Sequence, residues 1–160
     1  MKYILLLYIL IFGTFILSGQ DLERIDIHEL EQILTDQEDK VHVINFWATW
    51  CGPCVTEIPH FQEVAKDYNE ENVNFKLISL DFPSQVDSRL IPFLEDNDIQ
   101  LDVYLMINLD YNAWVTKVDR EWKGNLPATI IYNHAEGKRI FIPRVMNEKE
   151  IKENIEQIIN

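Results

Sequence analysis

Apolar positions along the chain change period several times, and each change marks an element. Asp26 with Glu29 forms a helix-start signature, and Ile27, Leu30, Ile33 and Leu34 then share one helical face ahead of the acidic turn 36–39. Val41, Val43, Ile44, Phe46 and Trp47 make a β-branched and aromatic run suited to a buried strand. Helical spacing returns at Val55, Ile58, Phe61, Val64, Ala65 and Tyr68, and that helix is expected to end near Asn69 and Glu70-Glu71. Beyond it the pattern predicts a strand near Val73 to Leu80, a helix near Val86 to Asn97, a strand near Val103 to Ile107 and a helix near Asn112 to Val118. Thr129 to Tyr132, a turn over 133–138 and Arg139 to Ile142 read as a hairpin. Asn147 with Glu150 caps a last helix that presents Ile151, Ile155, Ile158 and Ile159 on one face. Such alternation predicts an α/β fold with a largely parallel sheet. No repeat or linker divides residues 20–160, which read as a single domain.

The amino terminus has a different pattern. Lys2 precedes an apolar run from Tyr3 to Leu17, followed by Ser18-Gly19-Gln20, so residues 1–19 read as a signal peptide or as an N-terminal anchor over residues 3–17. Its 15 residues fall short of the roughly 20 that a spanning helix needs. Both readings place the domain in the periplasm or another extracytoplasmic space, either soluble after cleavage or tethered. No cysteine follows the run to accept a lipid anchor.

Charge and cysteine content narrow the chemistry. The 160 residues carry 14 Lys and Arg against 27 Asp and Glu, a net charge of −13, and loss of Lys2 with a cleaved leader makes the balance more acidic still. Nucleic acid is excluded as a partner for such a surface. A domain of this size buries enough apolar surface to fold without staples, which leaves the two cysteines for chemistry.

They stand in Trp50-Cys51-Gly52-Pro53-Cys54, between the buried strand and the following helix. A thiolate on Cys51 would face unpaired N–H groups and the positive end of the helix dipole, which favour the charged form, so Cys51 is the expected nucleophile. Pro53 suits the first helical turn, because its missing donor would be orphaned there anyway. Cys54, one turn in, is the expected resolving thiol. A structural staple gains most from a long loop, and this pair encloses two residues. The four scattered histidines and the single Cys pair do not make a zinc pattern, and Val55 stands where haem attachment requires His. No metal site is expected.

At these residues the sequence resembles the thioredoxin superfamily, in particular the exported TlpA/ResA/DsbE-like thiol-disulfide oxidoreductases. Phe46 to Cys54 carries the strand-end and active-site pattern, Glu57-Ile58-Pro59 matches the following Glu-x-Pro, and Gly124-Asn125-Leu126-Pro127-Ala128-Thr129 resembles the cis-proline loop. The resemblance implies a thioredoxin-like three-layer α/β/α sandwich with a helix-containing insertion over residues 83–122. It implies a kink at Pro59, a cis Leu126-Pro127 bond, and a groove in which Leu126, Pro127 and Trp50 hold a partner polypeptide. Trp47, inside the strand, reads as packing. It further implies a protein-disulfide reductase that works through the Cys51/Cys54 dithiol without an organic cofactor. Its substrates would be disulfide-containing exported proteins, apocytochrome c among them, with a DsbD- or CcdA-like membrane thiol carrier as electron donor.

One position departs from cytoplasmic thioredoxins, which place an Asp six residues before the first cysteine. This chain has Asn45, which cannot serve as a base. Asp81 and Glu57 are the candidates for the base that serves Cys54, and each also reads as a solvated surface acid, Glu57 above all. Two other functions are open to the fold. A thiol peroxidase would want Pro-x-x-x-Thr-x-x-Cys, whereas Thr49 lies two positions before Cys51. A copper-delivery module would add His134 as a distant third ligand to the two cysteines.

Overall fold

A computed structural model describes residues 22–68, 72–108 and 110–160. The leader at 1–19 lies outside the described residues, and the helix expected to run to about Asn69 ends at Ala65, with Lys66 as its C-cap and Tyr68 beyond it. Six strands form one sheet: β1 (Glu23–Ile25), β2 (Val41–Trp47), β3 (Val73–Ser79), β4 (Asp102–Met106), β5 (Ala128–Asn133) and β6 (Lys138–Ile142). Their order is β1-β4-β3-β2-β5-β6. The first three pairings are parallel, whereas β2 with β5 and β5 with β6 are antiparallel, so the sheet is mixed.

Alternation of side chains along the strands builds two layers on this sheet. Ile44 and Phe46 of β2 point with Ile78, Ile130 and Tyr132 toward α1 (Ile27–Leu34) and the short α4 (Val115–Val118), where Leu30, Leu34, Val115 and Val118 join them. Val41 and Val43 point the other way, against Phe61 and Val64 of α2 (Gly52–Ala65) and Ile151, Ile155 and Ile158 of α5 (Glu148–Ile159). Trp47 and Leu77 meet Ile58, Leu90 and Leu94 on that same side. The result is the expected α/β/α sandwich. Both expected caps close: Asp26 accepts from the Glu29 N–H while the Glu29 carboxylate accepts from the Asp26 N–H, and Asn147 and Glu150 do the same for α5.

Several elements depart from the sequence expectation. The edge strand β1 has no signature, because three residues next to a helix cap are too few to show a period. The helix expected from Val86 to Asn97 is a π-helical turn, Val86–Leu90, followed by α3 (Ile91–Asp96). Pro92 has no N–H to offer a carbonyl one turn back, and a widened turn before it accommodates that loss. The helix expected from Asn112 is a 3₁₀ turn, Tyr111–Ala113, that leads into α4. Ile159 is half exposed, outside the face that Ile151, Ile155 and Ile158 bury. Pro59 lies inside α2.

Candidate active site

β2 delivers the chain to the carboxyl end of the sheet, where the turn Ala48 to Trp50 leads into α2. Cys51 is the N-cap, in extended conformation, and its Sγ accepts a hydrogen bond from the Cys54 N–H at 3.3 Å. The helix thus offers a backbone donor to the sulfur that the sequence marks as nucleophile. Cys51 and Cys54 form a disulfide with Cα atoms 5.3 Å apart. Cys51 retains 7% of its surface and Cys54 none, so a partner can reach only the first sulfur. Pro53 occupies the first turn, where its missing donor costs nothing.

Two buried carboxylates stand behind this turn, and their partners separate their roles. Asp81, just past β3, accepts from the Thr49 N–H at 3.0 Å, from the Thr49 hydroxyl and from the Ser79 hydroxyl at 2.8 Å. Both of its oxygens are therefore committed to holding the turn before Cys51, with the Leu80 N–H to Trp47 carbonyl bond beside them. Glu57, like Asp81, is fully buried rather than solvated, which corrects the surface reading. It lies three residues after Cys54, on the same face of α2. Its carboxylate accepts from the Asn45 side-chain amide at 2.7 Å and from the Met146 N–H at 2.6 Å. Burial raises the Glu57 carboxyl to about 7, against the pull of those two donors and of Arg144. Asn45 also donates to the Thr129 hydroxyl at 3.0 Å, so it ties β2 and β5 to the acid instead of acting as a base.

Across the sheet end, the Leu126-Pro127 bond is cis. Pro127 is buried and Leu126 half-buried. Two hydrogen bonds pin this loop: the Trp122 indole donates to the Asn125 carbonyl at 2.9 Å, and the Asn125 side chain donates to the Pro143 carbonyl at 3.0 Å. Trp122 is itself buried against Phe46, Trp114 and Phe141. Trp50 is 44% exposed beside Cys51, whereas Trp47 is buried against Phe93. His134 lies past the far end of β5 from Pro127 and bonds to the Leu34 carbonyl. The six residues of β5, roughly 20 Å, separate it from the cysteine end of the sheet, so it cannot join the two sulfurs as a ligand.

A two-cysteine helix N-cap beside a cis-proline loop, on a sheet of this order, is the arrangement of the thioredoxin-like thiol-disulfide oxidoreductases. The chain belongs to the AhpC/TSA family, which matches residues 18–137. It is 37% identical over 70 residues to the thiol-disulfide oxidoreductase ResA of Oceanobacillus iheyensis, covering 44% of this chain and 35% of that protein. Against the ResA of Geobacillus thermodenitrificans it is 26% identical over 141 residues, covering 88% of this chain and 76% of that one. A solved thioredoxin-related protein from Neisseria meningitidis serogroup B superposes with a TM-score of 0.64 at 25% identity, over 74% of this chain and 84% of its own.

Proposed function

We propose that this protein is an exported thiol-disulfide oxidoreductase that reduces disulfides in partner proteins. The observation that carries the reading is the asymmetry of the pair: Cys51 reaches the surface at a helix N-terminus while Cys54 is fully buried, one turn before the buried Glu57. In the reduced protein the Cys51 thiolate attacks one sulfur of a partner disulfide, that S–S bond breaks, and the other partner sulfur leaves as a thiolate. Cys54 gives its proton to Glu57 and attacks the Cys51 sulfur. The partner departs with two thiols, and two electrons have passed from the Cys51/Cys54 dithiol to it. A group that titrates near neutral pH suits this proton transfer. The exchange needs no organic cofactor. Leu126 offers its backbone to an extended partner segment beside Pro127 and Trp50.

The leader at residues 1–19 supports export, by cleavage or by anchoring. No described helix is long and apolar enough to cross a membrane. In that compartment a membrane thiol carrier of the DsbD or CcdA kind would restore the dithiol, and apocytochrome c is one substrate that the resemblance implies. Gly52-Pro53 between the cysteines favours the reducing direction. A peroxidase reading has less support, since the Thr49 hydroxyl is given to Asp81 and not to the nucleophile.

Two measurements test the proposal. Cys51→Ser should abolish reduction of insulin disulfides, and full activity in that variant would refute it. Equilibration of the Cys51/Cys54 couple against thiol buffers should give a potential on the reducing side; about −120 mV, the range of strong oxidants, would reverse the direction.

A further inference from the structure

Five large apolar side chains are exposed among the described residues, and four of them, Trp50, Phe82, Ile107 and Val145, follow β2, β3, β4 and β6 at the same end of the sheet. Trp50 belongs to the exchange site. Phe82 and Ile107 lie on its other flank, away from the Leu126-Pro127 loop, because β3 and β4 come next to β2 in that direction. The chain holds this flank firmly. Asp81, next to Phe82, is bonded to Thr49, next to Trp50. Pro83 keeps Phe82 extended, with φ −67° and ψ 134°, so that its ring stays outside the 3₁₀ turn Pro83–Gln85. The Ile107 N–H bonds to the Ile25 carbonyl, and the register that pairs Ser79 with Leu105 sets Ile107 level with Asp81.

We propose that Phe82 and Ile107 form a second docking arm for the substrate polypeptide, which receives apolar side chains within about three residues of the reacting cysteine on one flank. The inference rests on the exchange activity proposed above, and the occupant follows from continuity with it. A polypeptide whose cysteine is joined to Cys51 must leave the site in two directions, one along Leu126-Pro127 and the other over the ends of β3 and β4. Strands are spaced about 4.8 Å apart, so the step from the end of β2, which leads to Trp50 and Cys51, past Phe82 to Ile107 is about 10 Å, the length of three extended residues. A flank without charge at Phe82 and Ile107 selects apolar over charged side chains there.

The test uses short peptides with a single cysteine held as a mixed disulfide with thionitrobenzoate, whose release is read by absorbance. One set has Leu and Val within three residues on either flank, a second has Ser at those positions, and the capped free cysteine serves as the size-independent reference. With the reduced full-length protein in excess, so that each molecule reacts once and is itself oxidised to the Cys51–Cys54 disulfide, the second-order rate constant of thionitrobenzoate release should be about tenfold higher for one of the apolar peptides than for its Ser counterpart, as expected for partial burial of two side chains. In Phe82→Ser/Ile107→Ser, the ratio of that peptide to the reference should fall by about the same factor. A ratio unchanged in the double variant overturns the docking arm. Concentration-dependent dimerisation of the reduced protein that the double variant loses would assign the patch to a second copy and also overturns it. Failure of the wild-type protein to react with the capped cysteine is a different result, since it removes the exchange reading itself and the docking arm with it.

Discussion

Asn45 donates its side-chain amide to Glu57 at 2.7 Å, and neither residue has any surface in contact with solvent. The acid sits where burial favours its neutral form, and the amide and the Met146 N–H recover only part of the cost of charging it. The sign of the resulting pH dependence follows. A carboxyl with its folded-state value raised to about 7 contributes stability that is fully present below its unfolded value and is lost as pH rises through 7. The oxidised protein should therefore lose about 3 kcal/mol between pH 4.5 and 7.5 from this group. Urea unfolding across that range measures it. Glu57→Gln should flatten the slope and remove the inflection near pH 7 from the rate at which Cys54 resolves a mixed disulfide; an unchanged slope would assign the pH dependence elsewhere.

Asn45→Asp places a second carboxyl against the first. Two buried acids at hydrogen-bond distance cannot both ionise, so the pair should share a proton and titrate over a wider range than Glu57 alone. Stability above pH 8 should fall by 2 kcal/mol or more, on the order expected for a buried like-charge pair. Equal stability of the variant and the parent at pH 8.5 would contradict this.

Asp81 is bonded to Thr49, in the turn that leads to Cys51. Asp81→Asn keeps the shape but leaves one acceptor oxygen for three donors, at a cost of about 2 kcal/mol. Loosening the turn before Cys51 should also shift the Cys51/Cys54 potential, which a role confined to stability would leave in place. Equilibration against glutathione separates the two.

His42 provides the opposite pH limb. Its ring is buried between strands and stacked on Tyr132 at 4.8 Å, and neither ring nitrogen has a hydrogen-bond partner among the described residues. Burial, helped by Lys76 and Lys40 and opposed by Asp36 and Glu38, lowers its pKa below the usual 6.5. As pH falls below 6.5 the unfolded chain takes up the proton first, so the folded state loses stability. His42→Phe should flatten this acid limb in thermal unfolding at pH 5, and an identical limb in the variant would argue against it.

Trp122→Phe keeps an aromatic ring in the cluster but removes the indole bond to the Asn125 carbonyl. A loss of about 1 kcal/mol in stability is expected. KM for a protein disulfide should rise more than kcat falls, because the variant loosens the Leu126-Pro127 loop and leaves the cysteines alone. A uniform loss of kcat would show that the loop is not what Trp122 controls.

The cysteine pair and its place at a helix start were legible in the chain itself. Cysteine spacing, the strand before it and the helix after it are local facts, and they place Cys51 at an N-cap whatever else packs around it. The same holds for the two capping boxes and for the hydrophobic faces of β2 and α2. Tertiary structure decided which groups surround the sulfurs. Glu57 carries no sequence mark that separates a surface acid from a buried one, since its burial comes from Asn45 on β2 and from the Met146 N–H, 89 residues away. The bond of Asp81 to Thr49 and the alignment of Phe82 and Ile107 beside Trp50 likewise depend on strand order. Periodicity reports which face of an element is apolar; only the packed sheet sets which elements meet, and with them the electrostatic surroundings of the dithiol.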